Sequence, residues 1–334
     1  MHPMATVLGV EGGGSHCHAV VAESTGAVLG VGANDDPANW DDVGIQAAGA
    51  SIRSCVREAL AAAGVTAAGV VASVIALAGI DFPMDEAKLS GIPASLELGE
   101  PFRILNDAFA ALRAGTDEAH GVVVVAGTGS VVAGRNAAGE EFRTLGMGPL
   151  LGDSGSASEV SEAAVTAVAQ ASLRRGPGTA LTELLRERSG AESVVDFLEG
   201  VSRGRIDDSI FSPDVVRAAA DGDDVARSIL ADAGRTLGET AVHVIRTLRM
   251  EEEAFDLVLA GGMFRAETTH LVDALEATVR PVAEKVTLRP LSDPPVVGSV
   301  MLAIELAGEV PAHGIRSALA DGIAGALGHP RTFG

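Results

Sequence analysis

Residues 6–23 read TVLGVEGGGSHCHAVVAE, and this stretch decides how the fold begins. The apolar run Thr6–Val10 predicts a β-strand that leads into three consecutive glycines, Gly12, Gly13 and Gly14. The residues that follow alternate with a period of two, which is typical of a second strand. The alternation divides that strand into two faces: Cys17, Ala19 and Val21 against His16, His18, Val20 and Ala22. The glycines therefore form the turn of a β-hairpin, whereas in dinucleotide-binding and Walker loops they lead into a helix.

Residues 122–146, VVVVAGTGSVVAGRNAAGEEFRTLG, repeat this arrangement in the second half of the chain. An apolar strand runs into Gly127, Thr128 and Gly129, and a second strand follows. A turn at Asn136–Gly139 then precedes a third strand. Two hairpins in two halves of one chain predict a duplicated lobe.

A third apolar run, Leu257–Ala260, ends at Gly261 and Gly262, before a predicted helix over Ala266–Val279. These two glycines would allow close approach of a flat ring such as adenine, although a tight turn between strand and helix is the simpler explanation. Five further segments carry apolar residues at helical spacing: Val43–Ala63, Ala157–Arg174, Val225–Arg249, Gly298–Leu306 and Ile315–Ala326.

Length and pattern together predict two domains. The 334 residues correspond to about two domains of ordinary size. We expect an α/β fold with two lobes, duplicated mixed sheets and flanking helices. The N-terminal lobe would comprise residues 1–117, with a helix near residues 314–328 as a candidate addition, and the C-terminal lobe residues 118–313.

The formal net charge of −21 argues against a nucleic-acid partner, because phosphate backbones are bound by clustered Lys and Arg. Lys88 and Lys285 are the only lysines, so a Walker-type lysine is missing where it would be needed. An acidic chain that binds a nucleotide must use backbone N–H groups, metal ions and local arginines. The glycine-rich loops are therefore the places to look.

Cysteine content and the N-terminus predict a cytoplasmic protein. Cys17 and Cys55 are the only cysteines, and no CxxC motif offers a zinc or redox site. The N-terminus lacks the basic and apolar regions of a signal peptide. The longest apolar runs, Gly69–Ile80 and Gly121–Gly129, are shorter than the roughly 20 residues of a membrane span, so no membrane partner is expected.

The two glycine loops are candidate phosphate sites. Glycine permits positive φ and close approach to a ligand, and successive N–H groups can form an anion-binding concavity. Ser15 could donate a hydrogen bond to a phosphate oxygen, and Glu11 could orient a magnesium ion through water. Each loop alone could be a plain hairpin turn. Two equivalent loops, one per half, favour phosphate held between two lobes.

Asp107 is a candidate general base. It follows the apolar run Phe102–Leu105 and Asn106, so its carboxylate would lie at a strand end before a helix. Phosphoryl transfer needs a group that accepts the proton of the attacking hydroxyl. The competing interpretation is an N-cap, a position that both Asn and Asp favour.

Two polar segments are candidate sugar sites, since such sites combine amides, carboxylates and an aromatic face. The loop from Asn34 to Trp40 contains Asn39 and the only tryptophan; alternatively it is a surface turn with a buried tryptophan. Residues 146–156, GMGPLLGDSGS, precede a helix whose N-terminus could bind polar groups. In that segment Asp153 could accept hydrogen bonds from sugar hydroxyls. The alternative is a capping loop, with Ser154 or Ser156 as the cap.

His16 and His18 share one strand face, so a metal pair is conceivable. The sequence shows no nearby cysteine and no evident third ligand, and a zinc site is therefore not expected.

Taken together, these motifs resemble those of the BadF/BadG/BcrA/BcrD-type ATPases and, within that family, the N-acetylglucosamine kinases. The superfamily is shared by actin, hexokinase and the heat-shock chaperones, whose actin-like fold contains ribonuclease H-like sheets. The resemblance extends over nearly the whole chain. Its motifs occur in the family's order: GVEGGGSH at 9–16, PAN at 37–39, NDA at 106–108, AGTGS at 126–130, GMGPLLGDSGS at 146–156, LAGG at 259–262 and PVVGSV at 295–300.

The resemblance implies an ATP-dependent kinase that uses Mg²⁺ and phosphorylates the 6-hydroxyl of an amino sugar, with N-acetylglucosamine first and glucosamine second. Asp107 matches the catalytic base. The phosphate loops, with Ser15 and Thr128, would contact ATP, and Gly261 and Gly262 would lie under the adenosine. The sugar would be held by a separate set of residues: Asn39, Gly146, Met147, Gly148, Asp107 and Asp153. Related kinases are dimers, so a homodimer is expected.

Several positions depart from the family pattern. A tryptophan usually stands where this chain has Met147, and GDEGS where it has GDSGS, so that Ser154 replaces a glutamate. Ser15 and His16 replace Thr followed by Lys or another residue, and Glu11 replaces the commoner Asp, as it does in N-acetylglucosamine kinases. The first two departures could change the sugar or weaken its binding.

Two other functions are weighed against the kinase. An ATPase that activates a radical dehydratase needs clustered cysteines for an iron–sulfur group, which Cys17 and Cys55 do not supply. A kinase-like sugar sensor without catalysis is the second alternative, because Met147 and Ser154 alter the sugar site. DNA-binding sensors of this kind carry an extra segment, and this chain starts directly at its first strand with strong negative charge.

Overall fold

The computed structural model describes residues 5–265 and 268–328. Within these residues, the strands number ten: β1 (Thr6–Gly12), β2 (Cys17–Glu23), β3 (Val28–Asn34), β4 (Ala72–Leu77), β5 (Phe102–Asn106), β6 (Gly121–Ala126), β7 (Ser130–Arg135), β8 (Glu141–Arg143), β9 (Phe255–Ala260) and β10 (Val286–Pro290).

The α-helices of the same residues number thirteen: α1 (Trp40–Val43), α2 (Ile45–Ala63), α3 (Pro83–Leu89), α4 (Gly91–Ser95), α5 (Asp107–Gly115), α6 (Ala157–Ser172), α7 (Leu181–Ser189), α8 (Val194–Ser202), α9 (Ser212–Ala220), α10 (Asp224–Thr247), α11 (His270–Val279), α12 (Pro295–Leu306) and α13 (Ile315–Leu327). No helix of the described residues is both long enough and apolar enough to cross a membrane.

The ten strands form two five-stranded sheets with corresponding orders, β3-β2-β1-β4-β5 and β8-β7-β6-β9-β10. In the first sheet β1 and β2 pair antiparallel, as do β2 and β3, whereas β1 pairs parallel with β4 and β4 with β5. Each order starts from a glycine hairpin and adds two later strands on one side. The predicted α/β fold with duplicated mixed sheets and flanking helices is confirmed.

Internal contacts divide the chain into two compact units. The first comprises the described residues up to Val123, the segment Ala133–Glu140 and the described residues from Arg289 onward. The second comprises Val124–Val132 and Glu141–Leu288.

Helices cover both faces of the first sheet, and its strands are therefore buried on both sides. Leu8 and Val10 of β1 pack in one core with α2, whereas Val7 packs in the other with α5, α12 and α13. The two predicted faces of β2 divide between the same cores: Cys17, Ala19 and Val21 in the first, Val20 and Ala22 in the second.

Glycines let the helices approach closely. A Cβ on Gly9 would lie 2.4 Å from the backbone N of Val300 in α12, and one on Gly298 would lie 1.9 Å from the carbonyl oxygen of Ala110 in α5. Neither position admits a larger residue without moving the backbone, so α12 is held against both β1 and α5.

Three differences from the predicted helices have local causes. Gly44, at φ +83°, separates the short helix α1 from α2, so the helix predicted from Val43 begins at Ile45. The helix predicted from Ala266 begins at His270, and residues 266–267 lie outside the described residues. No pattern in the sequence predicted the short helices α1, α3 and α4, nor α7, α8 and α9, which follow one another between Leu181 and Ala220.

Candidate functional site

The carboxyl ends of three parallel strands align at one edge of the first sheet. Gly12 of β1 is in register with Leu77 of β4, and Leu77 is in register with Asn106 of β5. Neighbouring strands lie about 4.8 Å apart, so the backbone at Gly12 and at Asn106 is separated by roughly 10 Å. In open α/β sheets this edge is where ligands bind.

Asp107 is the first residue of α5 at this edge, and it is half-buried. The helix is capped by Asn106, whose side-chain oxygen accepts a hydrogen bond from the N–H of Ala108 at 3.0 Å. The amide nitrogen of Asn106 donates to the carbonyl of Ile80 at 3.2 Å and to Asp81 Oδ1 at 3.3 Å. Of the two residues that sequence reasoning considered as caps, Asn106 takes this role, which fixes the backbone from which the Asp107 carboxylate projects.

The first glycine loop is a closed hairpin turn. The N–H of Gly13 donates to the carbonyl of His16 at 3.1 Å, and the Gly13 carbonyl accepts from the N–H groups of Ala38 at 2.9 Å and Asn39 at 3.1 Å. The loop thus holds the segment that contains Asn39 at the same edge of the sheet.

Of the three glycines of this loop, Gly12 is required for space. Although glycine permits positive φ, none of Gly12, Gly13 and Gly14 adopts it. A Cβ on Gly12 would lie 2.6 Å from the Ala38 Cβ, whereas nothing lies within 4 Å of the corresponding position at Gly13. The open side of Gly13 leaves room for close approach of a ligand.

Asn39 and Trp40 are held by local contacts. Asn39 caps α1 by accepting from the N–H of Asp41 at 3.2 Å, and its amide donates to Asp42 at 2.7 Å. The indole N–H of Trp40 donates to the carbonyl of Gly79, just beyond β4, at 2.6 Å. Lys88 Nζ lies 4.5 Å from the centre of the Trp40 ring and covers one of its faces.

Glu11 lies between two histidines. Its Oε2 is 3.3 Å from Nε2 of His16 and 3.6 Å from Nδ1 of His18. The expectation that the two histidines lack a third metal ligand is wrong, because the three side chains lie within 4.8 Å of one another. Glu11 precedes the turn and the histidines follow it, so only the antiparallel pairing of β1 with β2, Glu11 opposite His18, reveals the group.

The charges of this group depend on one another. Burial favours the neutral form of Glu11, but the neighbouring His16 and His18 outweigh it and hold its pKa below the usual value. Glu11 in turn raises the pKa of His16 and outweighs the effect of that ring's burial.

The second glycine loop repeats the closure of the first. The N–H of Gly127 donates to the carbonyl of Gly129 at 2.9 Å, and the Gly127 carbonyl accepts from the N–H of Ala157 at 2.8 Å. Ser158 Oγ donates to the carbonyl of Thr128 at 3.0 Å. Nothing lies within 4 Å of a Cβ built on Gly127 or Gly129, and neither adopts positive φ.

The segment 146–156 is shaped by glycines that do adopt positive φ: Gly146 (+75°), Gly148 (+78°), Gly152 (+97°) and Gly155 (+100°). Asp153, which is 3% exposed, closes the segment by accepting from the N–H groups of Gly146 at 2.7 Å and Met147 at 3.1 Å. Ser156 forms a capping box with Glu159 at the start of α6, so of the two serines considered as caps Ser156 takes the role.

An open cavity of about 650 Å³ adjoins this segment and has the size of a small-molecule pocket. Leu151, Gly152, Asp153 and Ser154 line one part of it. A further part is lined by polar residues of α10 that sequence reasoning missed: Thr236, Glu239, Thr240 and His243. Their spacing of i, i+3, i+4 and i+7, which places polar residues on one face of the helix, was the available signal.

The two glycines after β9 differ. Gly261 has φ +99°, and a Cβ there would lie 2.3 Å from the carbonyl oxygen of Ala126, which ends β6. Gly262 has nothing within 4 Å of that position. Packing within the sheet therefore requires Gly261, and only Gly262 leaves room for a ligand.

The two cysteines lie away from the surface. Cys17 and Cys55 are buried and form no disulfide, and Cys55 Sγ donates to the Cys17 carbonyl at 2.8 Å. The hydrogen bond with Cys55 and burial both raise the pKa of the Cys17 thiol. Neither thiol is placed to ligate a surface iron–sulfur cluster.

The sequence profile of the BadF/BadG/BcrA/BcrD ATPase family matches residues 8–303, and the chain belongs to this family. The resemblance inferred from the motifs is thereby confirmed. The chain is 27% identical over 306 residues to the N-acetylmuramic acid/N-acetylglucosamine kinase of Clostridium acetobutylicum, an alignment that covers 90% of this chain and 98% of that protein. It is 30% identical over 271 residues to the N-acetyl-D-glucosamine kinase of Dictyostelium discoideum, covering 76% of this chain and 84% of that protein.

Solved structures agree with the fold. A protein of Chromobacterium violaceum, provisionally named an N-acetylglucosamine kinase, superposes with a TM-score of 0.65 at 22% identity, covering 91% of this chain and 99% of that one. A ROK family glucokinase of Streptomyces griseus in complex with glucose and AMPPNP superposes with a TM-score of 0.56 at 18% identity, covering 90% and 100%. At these identities the likeness shows the fold.

Proposed function

We propose that this chain is an ATP-dependent kinase that transfers the γ-phosphoryl group of ATP to the 6-hydroxyl of an amino sugar, N-acetylglucosamine first. The observation that carries the proposal is the alignment of Asp107 with the loop Glu11–Ser15 at one edge of the first sheet. Membership of the ATPase family and two relatives named as N-acetylglucosamine kinases support it.

In this proposal Asp107 accepts the proton of the 6-hydroxyl as its oxygen attacks the γ-phosphorus, and ADP leaves with the electron pair of the broken bond. Asn106 positions the Asp107 carboxylate, since the cap and the hydrogen bonds to Ile80 and Asp81 leave the start of α5 little freedom. Positioning of the reacting groups supplies most of the rate enhancement in such reactions.

The proposed ATP contacts are backbone groups and hydroxyls of the glycine loops: Gly12, Gly13, Gly14, Ser15, Gly127, Thr128, Gly129, Gly261 and Gly262. The open space beside Gly13, Gly127, Gly129 and Gly262 supports this assignment, because a ligand could approach the backbone there. Mg²⁺ would enter with ATP and neutralise phosphate charge. Glu11 would orient one of its water ligands, since Mg²⁺ retains water and prefers oxygen donors.

The proposed sugar contacts come from the two polar segments: Asn39, Asp107, Gly146, Met147, Gly148 and Asp153. The cavity beside Asp153 supports the second group. Met147 is 39% exposed and offers a flexible thioether where the family has an aromatic ring. Glucosamine or another hexose derivative is therefore the alternative acceptor, and a sugar sensor without turnover is the alternative function.

We also propose a cytoplasmic homodimer. The chain has only two cysteines, both buried and not paired in a disulfide, which agrees with a reducing compartment. The dimer rests on the resemblance, and sedimentation or light scattering of the purified protein would test it.

A coupled assay of ADP release tests the kinase directly. ATP-Mg would be offered with N-acetylglucosamine, glucosamine, N-acetylmannosamine, N-acetylmuramic acid, glucose or no sugar. We expect release that depends on N-acetylglucosamine and exceeds the blank. Equal release with every sugar and with none, from protein that binds ATP, would contradict the proposal and favour the sensor.

Asp107→Asn tests the assigned base. We expect kcat to fall by at least about a hundredfold, because the amide cannot accept the proton, while the Kd for the sugar changes little. Asp208→Asn, which alters an exposed carboxylate, is the matched control and should retain kcat. An Asp107→Asn enzyme with the kcat of the unsubstituted protein would show that the base lies elsewhere.

A further inference from the structure

We propose that Glu11, His16 and His18 form a binding site for a divalent transition metal of the zinc type. The three side chains bring one carboxylate oxygen and two imidazole nitrogens within 4.8 Å of one another. Two imidazoles and one carboxylate are a common ligand set of Zn²⁺ sites that keep a fourth position open.

The distances are close to those that a metal requires. With metal–ligand bonds of about 2.0 Å, two ligand atoms of a tetrahedral site lie about 3.3 Å apart. Glu11 Oε2 is 3.3 Å from His16 Nε2 and 3.6 Å from His18 Nδ1. The ligating nitrogens of the two imidazoles lie within 4.8 Å of each other, and side-chain rotation can adjust this distance because both rings are partly exposed.

The buried carboxylate provides independent support. Glu11 is 5% exposed, and its enclosed Oε2 faces the nitrogens of His16 and His18 at 3.3 Å and 3.6 Å without a well-formed hydrogen bond. A buried carboxylate oxygen whose hydrogen bonding is incomplete is costly, and a bound cation would offset this cost. Ser15 Oγ lies 3.1 Å from Nδ1 of His16, a contact that can hold this ring with Nε2 towards Glu11.

The ligand atoms of this site favour Zn²⁺ over the Mg²⁺ that accompanies ATP. Mg²⁺ takes oxygen ligands in octahedral geometry, whereas imidazole nitrogen favours Zn²⁺ and its neighbours in the first transition series. A zinc ion at this site would occupy the carboxylate that the proposed kinase uses towards Mg²⁺-ATP. We therefore infer that micromolar zinc inhibits phosphoryl transfer, a consequence that rests on the proposed function, whereas the binding of zinc does not.

Calorimetric titration of the metal-stripped full chain with Zn²⁺ tests binding. We expect one ion per chain and a Kd at least about tenfold weaker for His16→Gln and for His18→Gln. His313→Gln, a substitution of an exposed histidine outside the proposed sites, is the control for adventitious binding and should leave the Kd unchanged. The same Kd in a folded His16→Gln/His18→Gln double variant, or no binding by the unsubstituted chain, would overturn the site.

Co²⁺ as a spectroscopic probe distinguishes this site from the nearby cysteines. We expect visible bands of a four- or five-coordinate nitrogen and oxygen site, without thiolate-to-cobalt charge transfer. A strong charge-transfer band that disappears in Cys17→Ser would assign the metal to sulfur and overturn the proposal.

The kinase assay tests the consequence. At fixed Mg²⁺-ATP, zinc should inhibit the unsubstituted chain at concentrations near its calorimetric Kd, and His18→Gln should need at least about tenfold more zinc. Equal inhibition of both proteins would show that zinc and Mg²⁺-ATP do not compete for the Glu11 carboxylate. If the protein shows no turnover with any sugar, the proposed function fails while the titration still decides the metal site.

Discussion

The two glycine loops share a backbone arrangement and differ in the side chains around it. In each loop one glycine, Gly13 in the first and Gly127 in the second, closes the hairpin with its N–H group. The carbonyl of the same glycine accepts hydrogen bonds from a later segment: residues 38–39 in the first loop and Ala157 in the second. The first loop is flanked by Glu11, His16 and His18, whereas the second is flanked by small residues and hydroxyls. The duplicated hairpin is thus a scaffold, and the charge of each loop is set by its neighbours.

The loops are also braced differently. The second loop follows β6, whose end contacts Gly261 across the sheet. The edge of the sheet beside the first loop is braced by polar contacts, in which the Asp85 carboxylate accepts from the N–H groups of Asp81 at 3.1 Å and Phe82 at 2.8 Å. Asp81 in turn accepts from Asn106, which caps the helix of Asp107. We therefore expect stability near the second loop to be sensitive to substitutions that disturb packing, and stability near the first loop to be sensitive to substitutions that remove a charge.

Gly261→Ala should have the largest effect on stability. The added Cβ would meet the Ala126 carbonyl at 2.3 Å, and φ is +99°, so we expect the free energy of unfolding to fall by about 3 kcal/mol. Gly127→Ala, with nothing within 4 Å, should change it by less than about 1 kcal/mol and weaken ATP binding instead. Urea unfolding and ATP titration measure both. Equal destabilisation by the two substitutions would remove the distinction between bracing and ligand-facing glycines.

Asp85→Asn should destabilise the protein in a pH-dependent manner. Burial favours the neutral form of Asp85, but Lys88 and the N–H groups of Phe82 and Asp81 outweigh it and hold its pKa below the usual value. The carboxylate therefore contributes stability above its ordinary pKa of 3.8, and this contribution is lost as the pH falls through the lower pKa of the folded state.

At pH 7 we expect a loss of about 2 kcal/mol, because charge-assisted hydrogen bonds to a buried group are removed. The difference between the two proteins should shrink when urea unfolding is repeated near about pH 3. A difference that does not depend on pH would show that shape, not charge, is what Asp85 contributes. Asp208→Asn serves as control.

Ser156→Ala should have the smallest effect. Ser156 Oγ accepts from the N–H of Glu159 at 3.3 Å, and loss of such a cap costs about 1 kcal/mol. Ser172→Ala, at the exposed C-terminal end of the same helix, keeps the cap and is the comparison for thermal unfolding. If both variants have the Tm of the unsubstituted protein, the capping box does not stabilise α6, the helix that holds the second loop.

Sequence patterns predicted much of the fold for identifiable reasons. Period-two alternation and glycine turns predicted both hairpins, and apolar periodicity located α2, α6, α10, α12 and α13 to within a few residues. The helices from Leu181 to Ala220 were missed, because short helices between glycines and charged residues give a weak periodic signal. The motif order identified the family, which the profile match confirms.

The site divides in the same way. Local sequence determined the candidate residues and the two glycine loops, because strand ends and turns are local features. The structure decided that Asn106, and not Asp107, caps α5. The tertiary structure decided which glycines are needed for space and which for positive φ, since neighbours distant in sequence impose the former. It also brought Glu11 to the two histidines and placed a polar stripe of α10 beside Asp153. Strand register and helix docking determine these neighbours, and neither can be read from residues taken in order.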